Sequence, residues 1–166
     1  MNLKTRLTIL NFLQFYTWGA WLITIANYWF GTKGWNATDF GVIFSTMGIA
    51  SIFMPALTGI IADKWINVER LNGTMHLLYA VSLYVMSTVD NPHTFFWVML
   101  VAMAFYMPTI ALNNSISYTV LKNNNFDIIK DFPPIRVWGT IGFIVAMWVT
   151  NLLGVKATVG QFYNGV

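Results

Sequence analysis

Arg136 offers the most chemistry of any side chain in this 166-residue sequence, because it stands just beyond Pro133-Pro134 at the head of an otherwise apolar stretch. A guanidinium carries five N–H donors in a planar fork and stays charged at any physiological pH, so it can bind ligand oxygens edge-on. Thr140, Phe143 and Met147 follow at spacings of four, three and four, which puts all of them on one helical face with it. Two other apolar stretches carry comparable stripes. Gln14, Trp18 and Trp21 share a face of the first, while Tyr106, Thr109, Asn113 and Ser117 share a face of the fourth, flanked by Asn114 and Tyr118. Amides, hydroxyls and aromatic rings around a single cation suit a flat, uncharged, hydrogen-bonding ligand better than an ion.

Each stripe also has a plainer explanation. Buried Thr, Ser or Asn side chains often form hydrogen bonds between helices, worth about 0.6 kcal/mol each on average. Arg136 can extend its head to the membrane interface and keep only its stem in the apolar layer. Left in lipid, however, an arginine costs about 3 kcal/mol or more, and the face shared with Thr140 and Phe143 favours an inward position. Together the three stripes predict a hydrated cavity with Gln14, Trp18, Asn113, Arg136, Thr140 and Phe143 in its wall.

Other chemistries find no support in the residues. There is no cysteine, so thiolate metal sites, disulfides and cysteine nucleophiles do not arise within the sequence. His76 and His93 lie far apart with no carboxylate at ligand spacing, so no metal site is expected, and His76 reads best as a packed, hydrogen-bonded histidine. Phosphate-cradling glycine loops and nucleophile elbows are missing as well, so neither a cofactor nor an enzyme is expected. The net charge of +3 comes from nine Lys and Arg spread thinly, which argues against a nucleic-acid surface.

The elements that must position these groups follow from composition. Hydrophobic residues make up 57% and charged residues only 9%, against about a quarter charged in soluble domains, so lipid is the expected solvent. A bilayer needs roughly 20 apolar residues per helix. Five stretches meet that length: about 7–30, 40–62, 71–89, 94–121 and 135–153. Lys4 and Arg6 precede the first as they would in a signal peptide, but the run is too long and has no cleavage site, so it reads as a retained helix. Residues 159–166 are too few to span, which makes them the expected start of an unfinished sixth helix. Helix two carries Gly41, Ser45, Gly48, Pro55 and Gly59, where neighbours are expected to approach closely. Pro108 is expected to kink helix four, and Pro133-Pro134 to open helix five.

Orientation follows from basic residues in the connections. With the amino terminus inside, Lys4, Arg6, Lys64, Arg70, Lys122 and Lys130 are cytoplasmic, against Lys33 and Lys156 outside. The amino terminus is therefore expected in the cytoplasm. All six acids (Asp39, Asp63, Glu69, Asp90, Asp127 and Asp131) fall in connections or at helix ends, so a proton-carrying carboxylate at membrane depth is not expected in this segment.

At the end of helix two, Gly59-Ile60-Ile61-Ala62-Asp63-Lys64 resembles the G-x-x-x-D-R/K loop motif of major facilitator transporters, on the expected side. Trp65-Ile66-Asn67 replaces the usual glycine and further basic residues. A longer resemblance runs through Phe12-Leu13-Gln14-Phe15, Trp18-Gly19-Ala20-Trp21, Met54-Pro55-Ala56-Leu57, Tyr106-Met107-Pro108-Thr109 and Asp131-Phe132-Pro133-Pro134-Ile135-Arg136-Val137-Trp138-Gly139-Thr140-Ile141-Gly142-Phe143. These blocks are similar to the bacterial nucleoside:proton symporters, and the last is long enough to be highly specific.

The resemblance implies an all-α polytopic membrane protein of the inner membrane, with twelve helices in two six-helix halves and alternating access between them. This chain would be the amino-terminal half. Arg136, Thr140 and Phe143 would contribute to nucleoside binding, and Gly59, Asp63 and Lys64 to a cytoplasmic gate. The remaining binding groups and the acids of proton coupling would belong to the carboxy-terminal half. A sugar or oligosaccharide:proton symporter of the same superfamily, and a non-transporting membrane scaffold or receptor, are the alternative readings.

Overall fold

A computed structural model describes residues 2–166, and it is all-helical among them. The elements are α1 (Leu3–Gly19), a π-helical turn (Asn27–Thr32), α2 (Ala37–Lys64), α3 (Val68–Ser87), α4 (Pro92–Asn123), α5 (Ile128–Leu152) and the short α6 (Gly160–Asn164). Asn or Asp precedes most of them for a physical reason: a short polar side chain accepts from first-turn amides that have no helical partner. Asn36 accepts from Asp39 N at 2.8 Å, Asn91 from His93 N at 2.8 Å, and Asp127 from Ile129 N at 2.9 Å.

Helices α2, α4 and α5 are long and apolar enough to cross a membrane by length and composition. Many large apolar side chains point away from the bundle, including Ile52, Leu77, Trp97, Trp148 and Leu152. That pattern is the reverse of a water-soluble surface and suits contact with acyl chains. The protein core is aromatic instead: Trp21, Tyr28, Trp29, Tyr79, Phe95, Tyr106 and Phe162 are all almost fully enclosed.

The structure departs from the sequence expectations in three places. Helix one is not continuous over 7–30, because it breaks into turns at 20–24 before the π-helical turn. At the break, the Ala20 carbonyl accepts from the Thr150 hydroxyl of α5 at 2.7 Å, and Thr24 donates to Gln161 at 2.9 Å. Tertiary hydrogen bonds therefore take over where the helical ladder is interrupted. Helix five begins at Ile128, not near 135, because Asp127 caps it there; Pro133 and Pro134 lie in its second turn, where the carbonyls they leave unpaired belong to exposed Ile129 and Lys130. Residues 160–164 fold into a helix, short as expected.

The third departure concerns glycine. Side chains added at Gly41, Gly48 or Gly59 of α2 would meet nothing within 4 Å among the described residues, so these glycines are not contact points inside the bundle. Close approach occurs between α1 and α5. A Cβ on Gly19 would lie 2.5 Å from the Phe143 carbonyl oxygen, and one on Gly142 would fall on the Phe12 carbonyl. Backbone meets backbone along this seam, which is the packing that membrane helices favour when apolar burial cannot drive association. Lys4 Nζ to Asp131 Oδ1, at 2.7 Å, closes its lower end. α2 and α3 pack against α4, completing a bundle in which α1, α4 and α5 adjoin.

Candidate functional site

The glycine seam fixes what the rest of α5 can do. Ile135, Gly139, Gly142, Ala146 and Thr150 are buried on the α1 side, and the stripe of Arg136, Thr140, Phe143 and Met147 lies immediately beside them. Arg136, Phe143 and Met147 are half-buried and Thr140 is exposed, so the stripe forms an accessible wall. The Arg136 guanidinium carbon sits 4.1 Å from the centre of the Phe15 ring on α1. Among the described residues it has no carboxylate partner and no hydrogen bond, and the Thr140 hydroxyl has none either. Several other helical Thr and Ser hydroxyls here, such as Thr58 and Ser82, bond back to a carbonyl in the preceding turn.

Phe143 packs edge-on against Trp18, with centroids 6.1 Å apart, and Trp18 packs on Tyr106 at 5.4 Å. One indole thus joins α5, α1 and α4. Its Nε1 is buried without an acceptor. The wall therefore combines a cationic fork, a free hydroxyl and aromatic surface, with donor capacity unused by the protein.

Gln14 and Asn113, expected in the same cavity wall, are placed elsewhere. Gln14 Nε2 donates to Thr109 Oγ1 at 2.7 Å, and its backbone carbonyl accepts from Tyr106 OH at 2.7 Å. Asn113 Nδ2 donates to Asn11 Oδ1 at 3.1 Å, while Asn11 also reaches Ser117 at 3.4 Å. These side chains are enclosed and zip α1 to α4, although Gln14 Oε1 and Asn113 Oδ1 keep no partner. The two helices' polar stripes face each other and form a seam. Trp21, from the same stripe, donates to Tyr79 OH at 2.7 Å.

His76 packs as expected, with Nδ1 3.0 Å from the Asn72 carbonyl. No group of three or more metal-ligating side chains occurs among the described residues. Gly59 and Asp63 line a groove of about 470 Å³ at the end of α2, together with Asn67, Glu69 and Ser115. Lys64 is exposed beside it, and neither it nor Asp63 forms an ion pair among the described residues.

Sequence reasoning passed over two residues that organise the site. Phe15 carries the Arg136 guanidinium, and Asn11 is the fully buried node of the polar seam. Asn11 lies three residues before Gln14 in an apolar run, so its place on that face was available from spacing. Phe15 had no such signal, since one phenylalanine among thirteen does not reveal a cation above it.

Comparison with known proteins places the chain among its relatives. The family model described as "Nucleoside H+ symporter" matches residues 1–165. The chain is 47% identical over 165 residues to the nucleoside permease NupG of Escherichia coli (strain K12), covering 99% of this chain and 40% of that protein. It is 45% identical to the xanthosine permease of the same organism, covering 98% of this chain and 39% of the relative. A crystal structure of the nucleoside transporter NupG superposes with a TM-score of 0.95 over 99% of this chain and 41% of that one. This chain thus spans about 40% of the length of the relatives it matches. Relatives of this kind and the apolar helices together make it a multi-pass membrane protein. It belongs to the nucleoside H+ symporter family.

Proposed function

We propose that this chain supplies one wall of a nucleoside-binding cleft in a proton-coupled transporter of the bacterial inner membrane. The observation that carries the reading is the unspent hydrogen-bonding capacity of Arg136, a half-buried guanidinium with no anionic partner among the described residues. A buried charge without a partner is costly, and a ligand with oxygen acceptors compensates it. Thr140 adds a free hydroxyl on the same face, and Phe143 with Trp18 presents aromatic surface for a base or the apolar side of a ribose. The opposing wall, and the acids that take up the proton, belong to the part of a relative-length protein beyond this chain. That division fits the carboxylates here, all of which lie in connections or end turns of helices.

Transport then proceeds by rocking two halves about the bound nucleoside. The glycine seam and the Lys4–Asp131 pair carry α1 and α5 as one body. Gly59, Asp63 and Lys64 form the cytoplasmic gate, where the groove beside α2 receives the other half when the inner side closes. The amino terminus lies in the cytoplasm on this reading, which the six-to-two distribution of basic residues supports.

The test is uptake of labelled uridine or adenosine by cells expressing the full-length protein with Arg136→Ala or Thr140→Ala. Uptake falls while the amount of protein in the membrane stays level. Undiminished uptake by both variants removes these residues from the site.

A further inference from the structure

The contact beneath Arg136 is as specific as the free edge above it. The Phe15 ring lies under the guanidinium, with centroid and carbon 4.1 Å apart, and the ring itself is largely buried between α1 and α5. On the α5 side the space is limited by Gly139. A Cβ there would stand 2.6 Å from Phe15 Cδ2, 2.8 Å from Arg136 Nη1 and 3.2 Å from the Asn11 carbonyl oxygen. All three neighbours belong to the Arg136 platform or to the backbone carrying it. No side chain larger than hydrogen fits without displacing the ring, the fork or both.

We propose that Phe15 and Gly139 are positioning residues that fix the plane of the Arg136 guanidinium. The ring occupies one side of the group, and the guanidinium makes no hydrogen bond among the described residues, so its N–H donors remain available to a ligand. The ring draws the cation by its π-electron density without consuming a hydrogen bond. A carboxylate in the same place would hold the arginine as firmly but would use the donors a ligand needs. The arrangement recognises oxygen acceptors lying in the plane of the fork, such as adjacent ribose hydroxyls or a base carbonyl. It also discriminates between cations, because the ammonium of a lysine has no plane to align.

Gly139 and Gly142 separate this role from ordinary helix packing. Both face α1, but the atoms nearest a Cβ on Gly142 are all Phe12 backbone, whereas those nearest a Cβ on Gly139 belong to the Phe15 and Arg136 side chains and the Asn11 carbonyl. An added methyl at either position strains the seam. Only at Gly139 does it move the fork.

The inference rests on Arg136 contacting the transported solute, and the experiment separates the two. The full-length protein is reconstituted in proteoliposomes, and KM and maximal rate for labelled uridine are measured beside the thermal unfolding midpoint. Phe15→Leu raises KM roughly three- to tenfold, the range expected for losing a partly desolvated cation–aromatic contact, with the maximal rate largely kept. Phe15→Trp restores the KM because it restores a π-face. Gly139→Ala raises KM similarly, while Gly142→Ala lowers the midpoint without changing KM. A normal KM in Phe15→Leu beside an impaired Arg136→Ala overturns the positioning role alone. Normal transport by Arg136→Ala overturns the underlying site reading. Should Phe15→Leu fail to fold, the KM contrast between Gly139→Ala and Gly142→Ala decides the matter, and equal KM values overturn the proposal.

Discussion

The α1–α4 seam and the open face of α5 are built from similar residues and do different things. In the seam, Asn11, Gln14, Thr109, Asn113 and Ser117 are enclosed and bonded across the helices. On α5, Arg136 and Thr140 have no protein hydrogen-bond partner among the described residues, and solvent-sized groups reach them. Polarity at membrane depth therefore does not by itself mark a binding site. Donors and acceptors that the fold leaves unspent, on an accessible face, are what distinguish one from a structural fastening.

Four substitutions in the full-length protein probe that distinction. The largest effect belongs to Arg136→Ala: loss of charge-assisted hydrogen bonds raises the KM for nucleoside about tenfold to a hundredfold, with little change in thermal midpoint. Calorimetric or fluorescence melting beside uptake kinetics checks both halves of that statement. Next comes Thr140→Val, which keeps shape and removes one hydroxyl; KM rises about threefold to tenfold. A Thr140→Val protein with unchanged kinetics makes this hydroxyl a bystander.

In the seam the sign of the experiment reverses. Asn113→Leu leaves Asn11 Oδ1 without its donor and lowers stability by about 1 kcal/mol, while KM moves less than in either α5 variant. Denaturation in detergent measures the first quantity. A KM change as large as that of Arg136→Ala merges the two regions into one site and breaks the comparison. The smallest effect is expected for Lys4→Ala, since a solvent-screened ion pair adds little; raising the salt concentration narrows the difference in midpoint from the unsubstituted protein.

Much of this architecture was legible in the amino-acid order, for identifiable reasons. Arg136, Thr140, Phe143 and Met147 repeat with helical spacing, so their common face follows from 3.6 residues per turn. The same spacing grouped Gln14 with Trp18 and Asn113 with Thr109, but periodicity says which residues share a face and not what that face meets. Gln14 and Asn113 meet each other's helices; Trp18 bridges to both α4 and α5. The break after Gly19 was hidden for a related reason. Nothing in Ala20-Trp21-Leu22-Ile23-Thr24 forbids a helix locally, and the partners that hold the interruption, Thr150 and Gln161, lie more than a hundred residues away. The start of α5 was obscured by a competing local signal: Pro133-Pro134 imitates a first turn, yet Asp127 caps the helix earlier.

The meeting of main chains at Gly19, Gly142 and Phe143 has a mechanical corollary. Where two helices touch through side chains, rotamer changes absorb small displacements, and the helices slip. At these positions main-chain atoms of α1 and α5 meet directly, so a tilt imposed on α1 passes to α5 with little side-chain compliance between them. Trp18 and Arg136 then travel as parts of one rigid jaw. In the proposed transport cycle the solute leaves when that jaw moves as a whole.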